Sequence, residues 1–274
     1  MITTDFVPGQ PCWIDLGSPD VDAAARFYAG VFGWQARPMG GDGGEGGGDY
    51  QMFQLDGKAV GAVGKLTEPG ARSAWMVYYD TRDIDATVKA AEEAGGTVRM
   101  PPSQVSEEGR LAQLTDPQGA QFAVWQSGSY GGIGVADGPG SLGWVELMTT
   151  DSAAAQRFYG AVFGWTGQDT ELPGGGGTYT MVTPKGQPPE RMFGGVMAMP
   201  EMFASGEVKP YWHPVFGTSD CDATVARVRE GGGGVSMGPE DAEGVGRLAV
   251  CTDPAGAEFV VLTPASPSPD APGA

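Results

Sequence analysis

The chain is written twice. The 22 residues from Trp13 to Trp34, WIDLGSPDVDAAARFYAGVFGW, return from Trp144 to Trp165 as WVELMTTDSAAAQRFYGAVFGW, with 12 identities at an offset of 131. RLAQLTDPQGAQFAV from Arg110 returns as RLAVCTDPAGAEFVV from Arg247, with 10 identities in 15 positions at an offset of 137. Between these blocks Trp75 matches Trp212, and Asp83–Thr87 matches Asp220–Thr224. The change of offset gives the second copy about six extra residues between Trp165 and Trp212. Solenoid units repeat every ~20–50 residues, so a repeat this long is a duplicated domain. The 274 residues fit two domains of ~150 each. The divisions read as residues 1–126, a Gly-rich linker over 127–141 that is flexible or loosely docked, residues 142–263, and a Pro/Ala/Ser-rich tail over 264–274 expected to be disordered.

Within each copy the caps and periods predict strand, helix, three strands, and then the same again. Ser18-Pro19-Asp20 reads as a helix start, with Ser18 as the capping hydroxyl. Val21, Ala24, Phe27, Tyr28 and Val31 fall at helical spacing before Gly33, and Thr150 to Gly164 repeats this. Second helices are predicted over Asp83–Gly95 and Asp220–Gly231. Strand patterns cover 11–17, 50–55, 58–65, 74–80, 110–115 and 121–126, with partners in the second copy. Gly40–Gly48 and Gly174–Gly177 lack a phosphate-cradle pattern and read as floppy loops.

Composition removes whole classes of function. Sixteen Lys and Arg stand against 34 Asp and Glu, a formal charge of −18. Such a surface repels phosphate backbones and anionic lipid, which argues against nucleic-acid and membrane partners. No apolar run is long enough to span a bilayer, and MITTDFVPGQP has neither the basic nor the apolar part of a signal peptide. A cytoplasmic protein is expected. Cys12, Cys221 and Cys251 are odd in number and have no CxxC spacing, so they read as buried small hydrophobes rather than a disulfide or zinc framework. His213 is the single histidine, so one chain cannot build a two-histidine metal site.

The patterns [ST]-x-D-x(6)-FY-x(3)-FGW and T-D-P-x-G-x-x-F, each present twice, with a helix between them that starts D-[IV]-D in the first copy and Asp220-Cys221-Asp222 in the second, resemble the vicinal oxygen chelate superfamily. That superfamily includes glyoxalase I, bleomycin-resistance proteins and extradiol dioxygenases, and similar two-domain actinobacterial proteins carry the label hydroxylase. The resemblance covers residues 11–126 and 142–263. It implies an α+β fold of tandem domains, each with two βαβββ modules forming a cup-shaped mixed sheet with helices outside. It also implies a small-molecule ligand. With four modules in one chain, the protein is expected to be stable as a monomer.

The resemblance also fixes where metal ligands belong. The first-strand position falls on Trp13 and Trp144, the second on Met76 and His213, and the last on Ala123 and Val260. Each cup keeps at most one ligand where about three are needed. No metal and no cofactor are expected.

The candidate ligand-binding residues follow from strand alternation. Trp13 and Asp15 share one face of the first strand, and Trp144 and Glu146 repeat the arrangement. Met76, Tyr78, Trp125 and His213 join them if strand parity holds. A flat apolar ring beside an acid suits a cationic or hydroxylated aromatic ligand. His213 is the candidate catalytic residue, as hydrogen-bond partner or general base, or else a core histidine satisfied locally. The second copy is the better candidate for function, because imidazole titrates and a thioether does not. Three functions stay open: a metal-independent binding protein, a metal-free oxidoreductase, hydroxylase or lyase, and a structural protein with filled cups.

Overall fold

A computed structural model describes residues 1–39, 49–68, 70–172, 176–199 and 208–265. The first copy runs β1 (Pro11–Ser18), α1 (Val21–Phe32), β2 (Gln35–Pro38), β3 (Tyr50–Leu55), β4 (Lys58–Lys65), β5 (Ala74–Asp80), α2 (Ile84–Glu93), β6 (Thr97–Val105), β7 (Gly109–Thr115) and β8 (Gln121–Ser127). The second runs β9 (Leu142–Thr149), α3 (Ser152–Phe163), β10 (Thr166–Glu171), β11 (Thr178–Thr183), β12 (Gly194–Ala198), β13 (Tyr211–Gly217), α4 (Cys221–Glu230), β14 (Gly234–Ala242), β15 (Gly246–Thr252) and β16 (Glu258–Pro264).

Each copy folds its two βαβββ modules into one eight-stranded mixed sheet. The orders are β2-β3-β4-β1-β5-β8-β7-β6 and β10-β11-β12-β9-β13-β16-β15-β14. The modules join where β1 pairs antiparallel with β5, and β9 with β13. Within a module the last strand pairs parallel with the first, as in β1 with β4 and β5 with β8.

Each of α1 to α4 is capped by an aspartate one residue before its first turn. Asp20, Asp83, Asp151 and Asp220 accept from the backbone N–H of Ala23, Ala86, Ala154 and Ala223 at 2.8–3.0 Å. Ser18 is therefore not the cap. It ends β1, and its hydroxyl donates to the Asp20 carbonyl while accepting the Asp20 N–H. β2, β6 and their partners β10 and β14 fill the predicted strand order, but the residue patterns predict no range for them. They are sheet edges, polar and largely exposed, and β6 carries Pro101 and Pro102, which only an edge strand tolerates well.

The two copies meet through their helices and central strands, with α1 against α4, α2 against α3 and β5 against β13. The core is thus shared between the copies. Phe27 and Tyr28 of α1 pack on Phe259 of β16, and Tyr159 of α3 packs on Phe122 of β8. All three cysteines are buried and free.

The stretch between the sheets is not loosely docked. Ser127 belongs to β8. The Ile133 N–H donates to the Cys12 carbonyl at 2.9 Å, that of Gly134 to Ala59 at 2.7 Å, and that of Gly140 to Gly217 at 2.8 Å. Its glycines serve close approach rather than freedom. Gly132 has φ +143°, and a Cβ there would overlap the Cys12 carbonyl oxygen. The predicted loop at Gly40–Gly48, Gly174 and Gly175 of the second glycine run, and most of the tail lie outside the described residues.

Candidate functional site

Both cup floors are built on the same rungs. In the second sheet Glu146 of β9 stands opposite His213 of β13. The His213 Nε2 lies 2.9 Å from Glu146 Oε2, and its Nδ1 lies 2.8 Å from Glu258 Oε1 on β16. Tyr211 donates to Glu258 Oε1 and Tyr179 of β11 donates to Glu146 Oε1, both at 2.7 Å. The Trp144 indole N–H donates to the Tyr179 hydroxyl at 2.7 Å. A hydrogen-bonded chain thus crosses the sheet from Trp144 to Tyr211. Tyr179 reaches Glu146 by crossing β12 at Gly195, where any Cβ would collide with the tyrosine ring.

The electrostatics assign His213 a charge. The ring is 4% exposed. That burial opposes protonation, but the hydrogen bonds and charges of Glu146 and Glu258 outweigh it and raise the pKa to about 9. Burial pushes the two glutamates up, and His213 pulls both below their usual range. An imidazolium that donates from both nitrogens has no lone pair with which to take a proton. The arrangement therefore suits a fixed cation rather than a general base at neutral pH. Titration of His213 between pH 5.5 and 7.5, the range of a free imidazole, is not what this site provides.

The first cup repeats half of this. Trp13 donates to the Tyr50 hydroxyl at 3.3 Å, Tyr50 to Asp15 Oδ2 at 3.4 Å, and Tyr78 to the same oxygen at 2.8 Å. Asp15 stands opposite Met76, which is half-buried. Trp125 donates its indole N–H to the Tyr130 carbonyl at 3.0 Å, and the Tyr130 ring meets Trp13 edge-on at 5.6 Å. Trp13, Tyr78 and Trp125 are 8%, 5% and 8% exposed, whereas Trp144, Tyr179, Glu146 and Glu258 are half-buried.

The structure therefore brings Trp144, Glu146 and His213 together in one network and Trp13, Asp15 and Tyr78 in another. Sequence reasoning left out Tyr50, Tyr179, Tyr211 and Glu258. The paired tyrosines had a signal, since DYQM at Asp49 returns as TYTM at Thr178. Glu258 had none, because it sits one rung before the expected ligand position at Val260 on the same face of β16. At the positions implied for a metal, Trp13, Trp144, Ala123 and Val260 offer no donor, and His213 is engaged at both nitrogens. Among the described residues no group of three or more His, Cys, Asp or Glu could hold a metal ion.

Comparison with known proteins gives the family and the fold. Residues 12–124 match the model of the glyoxalase/bleomycin resistance protein/dioxygenase superfamily, and residues 144–262 match that of a glyoxalase-like domain. The anthracycline biosynthesis protein DnrV of Streptomyces peucetius is 43% identical over 94% of both chains. The chain belongs to this superfamily. Two solved structures share the fold. They are 2,2',3-trihydroxybiphenyl 1,2-dioxygenase of Sphingomonas wittichii strain RW1 (TM-score 0.65, 15% identity, 94% of this chain and 91% of that one) and the Mn(II)-bound glyoxalase of Novosphingobium aromaticivorans (TM-score 0.62, 18% identity, 93% and 82%). No helix among the described residues is long and apolar enough to cross a membrane.

Proposed function

We propose that this protein binds a small hydroxylated aromatic molecule in the second cup, without a metal. The observation that carries the reading is the half-buried Trp144 beside the Glu146–His213–Glu258 array. The indole supplies a flat apolar face, and the glutamates supply acceptors for ligand hydroxyls. The imidazolium holds both carboxylates in place, which makes His213 a positioning residue. The residues at the superfamily's metal positions do not fit a metal, so binding rests on these side chains alone. The relative named for anthracycline biosynthesis supports a polycyclic aromatic ligand.

A metal-free oxidoreductase, hydroxylase or lyase is the second reading. It draws on the unbroken chain from Tyr179 through Glu146, His213 and Glu258 to Tyr211, along which protons can move.

The test is titration of alizarin, a dihydroxyanthraquinone, into the EDTA-treated full chain, read by tryptophan fluorescence. Saturable binding is expected, weakened at least about tenfold by Trp144→Ala and unchanged by Trp13→Ala, in keeping with the weight an aromatic anchor carries. Binding absent in EDTA and restored by Mn(II) would overturn the reading. A product that accumulates during the titration would favour the second one.

A further inference from the structure

The two cups hold an acid on the same rung in different company. Glu146 stands opposite His213 and receives a cation from within the chain. Asp15 stands opposite Met76. A thioether neither neutralises a carboxylate nor donates to it. The other groups that face Asp15 are the Tyr50 hydroxyl from β3 and the Tyr78 hydroxyl from β5, and no cation perturbs it. Burial pushes its carboxyl up to about 6. At neutral pH it therefore holds an uncompensated charge, which is costly away from water unless a partner arrives.

The surroundings name the partner. Trp13 shares the strand face of Asp15 and donates to the Tyr50 hydroxyl, and Tyr50 and Tyr78 reach the carboxylate, so electron-rich rings stand beside it, the setting in which organic cations are held by cation–π attraction. A carboxylate is an acceptor, and an ammonium is a pure donor.

We propose that the first cup is a separate ligand site for the ammonium group of a small organic amine, which occupies beside Asp15 the place that His213 fills beside Glu146. The amine donates to Asp15, and its remaining surface meets the rings of Trp13 and Tyr50. This site lies on the other sheet from the aromatic site, so either can fail without the other.

Methylammonium chloride, titrated into the full chain at constant ionic strength with sodium chloride as the blank, tests it. The readout is the Asp15 carboxyl resonance in a carbon-13 labelled sample. With methylammonium, the Asp15 titration midpoint is expected to fall from about 6 toward the ordinary aspartate range. Asp15→Asn is expected to weaken binding at least about tenfold, as is Met76→His, which supplies a cation internally. Met76→Leu should bind as the wild type does. Should Asp15→Asn fail to fold, the wild-type titration still decides. Identical Asp15 titrations in the two salts would overturn the proposal. So would binding that survives Asp15→Asn and disappears in Glu146→Gln.

Discussion

Tyr159 of the second copy donates its hydroxyl to Asp116 of the first across 3.2 Å, and accepts the Trp212 indole N–H at 2.9 Å. Asp116 is already held by the backbone N–H groups of Gln118, Gly119 and Ala120. The reciprocal place is filled by Tyr28, which accepts from Trp75 and lies beside Asp253. The tyrosine of RFY and the aspartate of TDP therefore meet across the repeat. The motifs that mark the superfamily also bind its two sheets together here.

Tyr159→Phe removes a buried hydroxyl that serves Trp212 and Asp116 at once. A loss of about 1–3 kcal/mol is expected, measured by urea unfolding as a lower midpoint with an unchanged slope. Because Phe27, Tyr28, Phe122 and Tyr159 bury against the opposite copy, residues 1–126 made alone should not unfold cooperatively. A sharp, reversible transition for that fragment would contradict the shared core.

His213 should titrate near 9 rather than 6.5. As the single histidine, it gives one imidazole signal to follow. Its raised proton affinity contributes stability that is complete below about 6.5 and lost as the pH rises through about 9. Glu146 and Glu258 are held low, so their share is present above about 4.5 and lost as the pH falls. His213→Gln should therefore cost about 2 kcal/mol near pH 6, and the gap to wild type should close above pH 9. A gap independent of pH would show a packing role only.

Asp15→Asn should act in the opposite sense. The Asp15 carboxyl is raised from 3.8 to about 6, so its ionisation destabilises the fold progressively between those values and fully above them. Removing the charge should stabilise the protein by about 1 kcal/mol at pH 7.5, a value discounted for partial exposure, and by nothing at pH 4. Paired thermal melts at the two pH values check the sign.

Metal analysis of protein purified without chelators should find no stoichiometric Zn, Fe, Mn or Ni. Exhaustive EDTA treatment should leave the melting temperature and alizarin affinity unchanged. One tightly held ion per chain, released by His213→Ala, would contradict the donor set described here.

The duplicated motifs made the architecture legible, because Trp13–Trp34 and Arg110–Val124 keep spacing and residue type through both copies. The edge strands β2 and β6 were not legible, since Gln35–Pro38 and Thr97–Val105 are too polar and proline-bearing to alternate. The site was legible by parity on one strand at a time, which joined Trp144 to Glu146. Alignment of neighbouring strands is a tertiary property, and it alone sets Glu258 level with His213. Counting along the chain pointed instead to Val260. The linker misled because its glycines, free in a sequence, are spent on backbone contacts such as Gly132 with Cys12.

The most direct test of ligand binding in the second cup follows the His213 imidazole resonance while alizarin is added to the EDTA-treated chain. The single histidine makes the signal unambiguous. A saturable change in its chemical shift, with the same midpoint as tryptophan quenching and abolished by Trp144→Ala, is the result predicted. Quenching that saturates while the His213 resonance stays fixed would place the ligand elsewhere and contradict the account.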